Sequence, residues 1–273
     1  MQRHQVKAVV LARGLGKRMR RADDSASLAG DQARMADSGI KAMIPIGRPF
    51  LDYVLSALAD AGVTDVVLVI GPEHDVVREY YAKTCVPTRL RVSFAVQERP
   101  LGTADAVTAA AANVGGDDFL VLNSDNYYPP DAFRALVRLD GPGLVAFGRD
   151  AMIRESNVSA DRIRAFAVVR IGPDDRLDDI FEKPDDATIS ALGDEVYVSL
   201  NCWRFDATVL DACRRVSPSP RGELEIPDGV RLAMTRMGSV FRVVRMNAGV
   251  LDLSSRGDVA EVAARLASVR ISL

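Results

Sequence analysis

Val6–Arg20 reads VKAVVLARGLGKRMR and divides at Leu11 into two physically different halves. Val6–Leu11 is a short apolar run rich in β-branched side chains, the composition of a strand buried on both faces. It runs directly into Arg13-Gly14-Leu15-Gly16-Lys17-Arg18, where glycines alternate with cations. Glycine lets backbone N–H groups approach an anion closely, and arginine or lysine neutralises it, so a polyphosphate is the natural guest. A tight turn with solvated cations would look the same, and Gly-x-Gly alone does not choose between the two.

Outward from that loop, Arg21–Gly39 is polar, with Asp23, Asp24, Asp31 and Asp37 among small residues; it predicts a surface loop holding at most a helical turn. Lys41-Ala42-Met43-Ile44-Pro45-Ile46 follows. From Pro49 to Gly62 apolar residues recur at three- and four-residue steps, which predicts a helix with Pro49 at its start and Gly62 as its stop. Strands are expected at Thr64–Gly71, Leu90–Gln97, Asp118–Asn123 and Leu144–Phe147, with helices at Glu73–Lys83, Thr103–Val114 and Asp131–Leu139. Strands alternating with helices at this spacing predict an α/β fold, a largely parallel sheet covered on both faces.

The second half changes character. Ile163–Ile171 and Leu177–Glu182 read as antiparallel strands joined by Gly172-Pro173-Asp174-Asp175. Strands at Val196–Phe205, Val240–Arg245 and Gly249–Leu253 and helices at Asp206–Val216, Glu223–Met234 and Arg256–Ser268 complete the chain. Without a repeat or a linker-like segment, residues 1–273 are expected to form one domain. Its nucleotide-binding part would cover about 1–150 and a smaller lobe about 151–273.

Bulk properties narrow the class. A chain of 273 residues can bury a large core. Its formal net charge of −2, with both signs mixed along the chain, gives no electrostatic case for nucleic acid or an anionic membrane. Cys85, Cys202 and Cys213 have no metal-type spacing and are too few for a disulfide framework, as expected in a reducing cytoplasm. No secretory signal and no apolar run of membrane-spanning length is visible, so the expectation is a soluble cytoplasmic protein; homo-oligomerisation is left open.

In open α/β sheets ligands bind beyond the carboxyl ends of the strands. Those ends carry the Gly14/Gly16 loop, Gln97-Glu98-Arg99-Pro100-Leu101-Gly102-Thr103-Ala104, and Asn123-Ser124-Asp125-Asn126. Gln97 could offer its amide to a base edge, and Gly102 could let a flat ring lie against backbone; each is equally an ordinary loop residue. Asp125 directly follows an apolar strand, and Asp252 sits between Leu251 and Leu253. An isolated aspartate at a strand end is usually a turn residue, but two of them beside a phosphate loop suit magnesium, which takes one or two carboxylates and completes its shell with phosphate and water. Glu182-Lys183-Pro184 places a carboxylate for hydroxyls beside an ammonium for a phosphate, unless it is a weak surface pair. Arg221 precedes the helix expected at Glu223, where an anion or plain solvent would suit it.

LARGLGKRM, Lys41 in KAMIPI, QERPLGTADA, LNSDN, FEKP, SPRGELEIPD and VLDL occur in the order found in sugar-1-phosphate nucleotidylyltransferases. Across almost its whole length the chain resembles the glucose-1-phosphate thymidylyl- and uridylyltransferase group. The resemblance implies a Rossmann-like GT-A-type fold with a mixed central sheet and a small sugar-binding lobe. It implies transfer of a nucleoside monophosphate from an NTP to a sugar or cyclitol 1-phosphate, with release of pyrophosphate and with Mg2+ as cofactor. By the same resemblance Arg18, Lys41 and Asp125 are catalytic, and Asp125 and Asp252 are the magnesium ligands. Leu11, Gly14, Gly16, Gln97, Pro100, Gly102 and Thr103 fall on nucleotide-binding positions. Asn126, Glu182, Lys183, Asn201 and Arg221 fall on sugar-phosphate positions.

The chain departs from that pattern in places. Arg13 and Ala167 stand where the family has glycine, Val250 replaces an aromatic residue, and the stretch between Arg18 and Lys41 is longer than usual. The chain stops at Leu273 without a hexapeptide-repeat extension. Arg13 and Ala167 motivate a second reading, a catalytically impaired nucleotide-sugar-binding regulatory homologue; retention of Arg18, Lys41, Asp125, Lys183, Arg221 and Asp252 argues against it. A glycosyltransferase of related fold would need a DxD pair, and Asn123-Ser124-Asp125 lacks the first aspartate.

Overall fold

The computed structural model describes residues 7–23 and 25–273, so Val6 of the opening stretch and Asp24 lie outside the described residues. Its first half alternates strand and helix: β1 (Lys7–Leu11), α1 (Lys17–Arg20), α2 (Gly30–Ser38), α3 (Phe50–Asp60), β2 (Asp65–Ile70), α4 (Asp75–Glu79), β3 (Arg91–Val96), α5 (Thr103–Ala109), α6 (Ala111–Val114) and β4 (Phe119–Asn123). There follow β5 (Asn126–Tyr127), α7 (Pro130–Arg138), β6 (Gly143–Gly148), α8 (Arg149–Glu155), α9 (Ala160–Ile163), β7 (Ala167–Ile171), β8 (Leu177–Phe181), α10 (Asp186–Ala191) and β9 (Tyr197–Phe205). The chain ends with α11 (Ala207–Cys213), α12 (Ile226–Met237), β10 (Arg242–Met246), β11 (Leu251–Asp252) and α13 (Asp258–Leu266).

Among the described residues the main sheet has nine strands, in the order β10-β6-β9-β4-β1-β2-β3, with β7 beside β9 and β8 beside β7. β1 is parallel to both neighbours, β2 and β4, and β2 is parallel to β3. β9 runs against β4, β6 and β7, which makes the sheet mixed. The β-branched runs are strands because both their faces are covered. Ala8, Val10, Val66, Leu68, Leu120 and Leu122 belong to one core, with α3, α7 and α13. Val9, Leu11, Val67, Val69, Phe119 and Val121 belong to the other, with α5, α11 and α12. That alternation is the two-residue side-chain period of a strand, and it fixes the register throughout the centre.

Several elements differ from the sequence expectation. The polar stretch after Arg21 contains a true helix, α2, anchored by Ala36 in the core and by Gln32, whose Oε1 accepts from Ala29 N–H at 3.0 Å and whose Nε2 donates to the Pro45 carbonyl at 2.8 Å. The helix expected over 73–83 becomes a π-helical turn at Tyr80–Thr84, and the one over 103–114 breaks at Ala110. The strand expected from Ile163 begins at Ala167, because Ser159 caps a helical turn over Ala160–Ile163. Cys85, Cys202 and Cys213 are free, and among the described residues no helix is long and apolar enough to cross a membrane.

Two irregularities shape what lies beyond the strand ends. β9 changes partner along its length: Phe205 and Trp203 pair with β4, whereas Ser199 and Tyr197 pair with β7. The register against β6 shifts between these halves, and Asn201 takes φ +55 there. Separately, β5 and β11 form a two-stranded antiparallel pair with Asn126 opposite Asp252. The N–H of Leu253 donates to the Asp125 carbonyl at 2.8 Å, so this pair carries the late aspartate to the end of β4.

Candidate active site

A cleft of about 470 Å³ opens at the carboxyl ends of β1, β3 and β4, within the size range of small-molecule sites. Its floor is the loop from Ala12 to Gly16. Gly16 has φ +59, and a Cβ on it would come within 2.6 Å of Gly39 Cα, so only glycine lets the loop meet the end of α2. Gly39 and Ile40 thereby become walls of the cleft, which gives the extra segment before Lys41 a place in the site. A Cβ on Gly14 would touch nothing nearer than Lys41 Cε at 4.0 Å.

Arg18 is exposed on the cleft wall, and its Nη2 donates to Ser254 Oγ at 3.3 Å. Lys41 and Asp125, both half-buried, form an ion pair at the centre. Asp252 lies behind it, buried, with Oδ1 accepting from Arg162 Nη2 at 2.9 Å and Oδ2 from Asn126 Nδ2 at 3.4 Å. Burial, and after it the nearby Asp125 charge, push the Asp252 carboxyl above its ordinary pKa, with Ser254, Arg162 and Lys41 opposing. Two carboxylates that repel one another at the end of the sheet, with cations drawn to them, are what a divalent cation relieves. Among the described residues no group of three or more His, Cys, Asp or Glu gathers into a metal cage.

At the end of β3 the cleft is built around Gln97, which is 4% exposed. Its Nε2 donates to the Gly102 carbonyl at 3.0 Å and to Asp105 Oδ2 at 2.7 Å. Both partners can only accept, so the amide orientation is set and Oε1 is the acceptor end. Leu11, Pro100, Gly102 and Thr103 also line this end. Gly102 is glycine for a different reason from the flat ring suggested by sequence: at φ +129 its Cβ would come within 2.6 Å of Leu224 N. The Thr103 hydroxyl accepts from the Ile226 N–H at 3.0 Å.

Arg13 lines the cleft while its side chain is tied to Gln97 and Glu73. Its Nε donates to the Gln97 carbonyl at 2.9 Å and its Nη1 to Glu73 Oε1 at 2.7 Å, over Gly71, where a Cβ would come within 2.7 Å of that Nε. The residue in a glycine position therefore braces the strand end carrying Gln97.

On the remaining side Asn201 lines the cleft, donating to Asn123 Oδ1 at 3.2 Å and accepting from Trp203 Nε1 at 3.2 Å. Asn126 is placed differently from its neighbours: it is buried, accepts from Asn123 Nδ2 at 2.9 Å and supports Asp252 instead of lining the cleft. Glu182, Lys183 and Arg221 form a separate charged cluster. Arg221 Nη2 reaches Glu182 at 3.5 Å, Glu223 at 3.8 Å and Glu225 at 2.8 Å, and Glu223 is itself on the cleft wall. Burial, then Glu225, raise the Glu182 carboxyl pKa, while Arg221 and Lys183 pull it down. Lys183 is exposed at φ +46, and Ala167 is buried in β7 opposite Ser199. Val250 is fully buried, a core residue just before β11.

Arg162, Asn157, Asp258, Ser254 and Glu223 also carry part of this arrangement. Ser254 and Asp258 could have been found by their closeness to Asp252, and Glu223 by its place two residues after Arg221; Arg162 and Asn157 come from distant elements.

The chain is similar to several known proteins. The chain is 30% identical over 229 residues to a glucose-1-phosphate thymidylyltransferase of Streptomyces antibioticus, covering 83% of this chain and 56% of that protein. It is 28% identical over 192 residues to the bifunctional protein GlmU of Methanococcus vannielii, covering 70% of this chain and 42% of that one. It thus spans about half the length of these curated relatives, 42% and 56%. The UTP–glucose-1-phosphate uridylyltransferase AglF of Haloferax volcanii is 24% identical over 264 residues, 96% of each chain. In fold the chain resembles a crystal structure of UDP-glucose pyrophosphorylase complexed with UDP-glucose, with a TM-score of 0.72, 16% identity and coverage of 97% of this chain and 99% of that one. Residues 35–266, which begin after the loop carrying Gly14, Gly16 and Arg18, match the nucleotidyl transferase family, and the chain belongs to it.

Proposed function

We propose that this protein transfers a nucleoside monophosphate from an NTP to a sugar or cyclitol 1-phosphate and releases pyrophosphate. The observation that carries the reading is the convergence of Arg18, Lys41 and Asp125 in one cleft over the glycine loop, with Asp252 directly behind. In the reaction an oxygen of the sugar phosphate attacks the α-phosphorus, the bond to the bridging oxygen breaks, and pyrophosphate leaves with that electron pair. Two anions must approach each other, so positioning and fixed positive charge do most of the work and no enzyme nucleophile is needed.

Each group has a task in that scheme. The Gly14–Gly16 backbone and Arg18 hold the triphosphate, and Lys41 leaves Asp125 for phosphate oxygens at the reacting centre. Gln97 Oε1 accepts from the base. Glu182 receives sugar hydroxyls, and Lys183 and Arg221 receive the sugar phosphate. Asp125 and Asp252, hard oxygen donors with mutual repulsion, fit Mg2+, which would neutralise triphosphate charge when bound. The regulatory alternative loses its main motive, since Arg13 is tied to Gln97 and Glu73.

The test is a pyrophosphate-release screen of the five common NTPs against hexose and cyclitol 1-phosphates with Mg2+. Release that depends on both substrates is expected for at least one pair; none with any pair would overturn the reading. With the substrate found, Lys183→Ala should raise KM for the sugar phosphate about 10-fold or more, the scale of a lost hydrogen bond to a charged group, with little change for the NTP. An effect confined to the NTP would reverse the assignment of the two sides.

A further inference from the structure

We propose that Arg162 is a positioning residue that presents Asp252 to the divalent cation; this rests on the reading of Asp125 and Asp252 as the cation's protein ligands. Arg162 comes from the short helix α9, far in sequence from both aspartates. Its Nη2 donates to Asp252 Oδ1 at 2.9 Å and its Nη1 to Asp258 Oδ1 at 2.7 Å. Asp258 Oδ2 in turn accepts from the N–H of Ser254 at 3.0 Å, the N–H of Ser255 at 2.6 Å and the Ser255 hydroxyl at 2.9 Å. The Ser254 hydroxyl is the partner of Arg18. A single guanidinium fork therefore joins the cation-side carboxylate, the turn that follows it and the phosphate-side arginine.

The rest of Asp252 is fixed at its backbone. The Asn157 side-chain amide accepts from Asp252 N–H and donates to Asp252 C=O, both at 2.8 Å. With the main chain held by Asn157 and Oδ1 by Arg162, Oδ2 has the long 3.4 Å contact from Asn126, Ser254 also bonds the carboxylate, and Oδ2 is the oxygen presented to a cation. Arg162 Nε is buried without a partner, one of two such side-chain atoms among the described residues. An orphaned donor is a cost, and it is borne at a site where both terminal nitrogens must reach carboxylates. A lysine could not reproduce this, because one ammonium is not a planar fork.

The experiment measures Mn2+ binding to the full chain by EPR, with Mn2+ alone and with Mn2+ plus each NTP, and checks folding by circular dichroism. Arg162→Gln should weaken Mn2+ binding by about 10- to 100-fold, the usual effect of removing an outer partner of a metal ligand. Arg162→Lys should recover only part of that loss. Asp258→Asn, which removes the far anchor of the fork, should weaken binding in the same direction and serves if Arg162→Gln does not fold. Unchanged or tighter Mn2+ binding in a folded Arg162→Gln or Asp258→Asn overturns the proposal. Mn2+ binding that survives Asp125→Asn and Asp252→Asn instead overturns the two-aspartate reading itself.

Discussion

Asp125→Asn is expected to lower kcat for pyrophosphate release by about 10³-fold, and Arg18→Ala by a comparable factor, the scale measured when one preorganised charge at a transferring group is removed. Asp125 sits where β4 ends, half-buried, with its backbone carbonyl held by Leu253 N–H and its carboxylate paired with Lys41. Asparagine keeps that shape and can still accept from Lys41, so the fold should persist while the negative charge that draws a cation is gone. Arg18 is exposed on the cleft wall with one long bond to Ser254, so its loss removes charge and little packing. Steady-state pyrophosphate assays beside thermal melts check both variants. Wild-type turnover in either one, at an unchanged melting temperature, would sink the site assignment.

The central strands β1, β2 and β4 were legible because both their faces are buried. A strand such as β2 must then be apolar at every position, and Val66–Ile70 are buried throughout. The parts that were not legible depend on tertiary context. β5 is only two residues long and exists because Asn126 faces Asp252 of β11, which lies within the strand expected at Gly249–Leu253. α2 reads as a polar loop, since Ala36 is its one buried residue and its other anchors are hydrogen bonds to distant segments, such as Gln32 to Pro45. Tyr80 and Tyr81 turn π-helical where both hydroxyls reach the buried Asp52 carboxylate at 2.9 Å, a contact no local pattern announces.

The site shows the same division. Gly16, Arg18, Gln97 and Asp125 could be placed because each follows directly from a parallel strand whose carboxyl end is the ligand side. Asn126 fell on a sugar-phosphate position by resemblance, and the β5–β11 pairing turns it inward to Asp252. Arg162 could not be anticipated, because its partners Asp252 and Asp258 are ninety and ninety-six positions away and nothing in DRIR marks it. Arg13 could be recognised as unusual but not explained, since its partners Gln97 and Glu73 belong to other strand ends.

Gly102→Ala is expected to damage both sides of the cleft at once. Gly102 has φ +129 and ψ 179, a region essentially closed to other residues and costing about 1–3 kcal/mol to enter. The added Cβ would also come within 2.6 Å of Leu224 N and 2.9 Å of Leu224 C. Leu224 cannot retreat cheaply: its N–H donates to the Leu101 carbonyl at 2.7 Å and its carbonyl accepts from Ala104 N–H at 2.9 Å. These bonds splice the segment carrying Arg221, Glu223 and Glu225 onto the loop carrying Gly102, whose own carbonyl holds the Gln97 amide. Separating them moves the base-reading group and the sugar-phosphate arginine together, so KM should rise about 10-fold or more for both substrates, as when a hydrogen bond to a charged group is lost on each side. The melting temperature should fall by about 4 °C or more. Gly193→Ala is the control: it has φ +83 but no atom within 4 Å of the new Cβ, so it should carry only the local backbone penalty of about 1–2 kcal/mol and leave both KM values alone. A Gly102→Ala protein that lost stability like Gly193→Ala but kept wild-type KM values would mean that the splice at Leu224 does not govern either subsite.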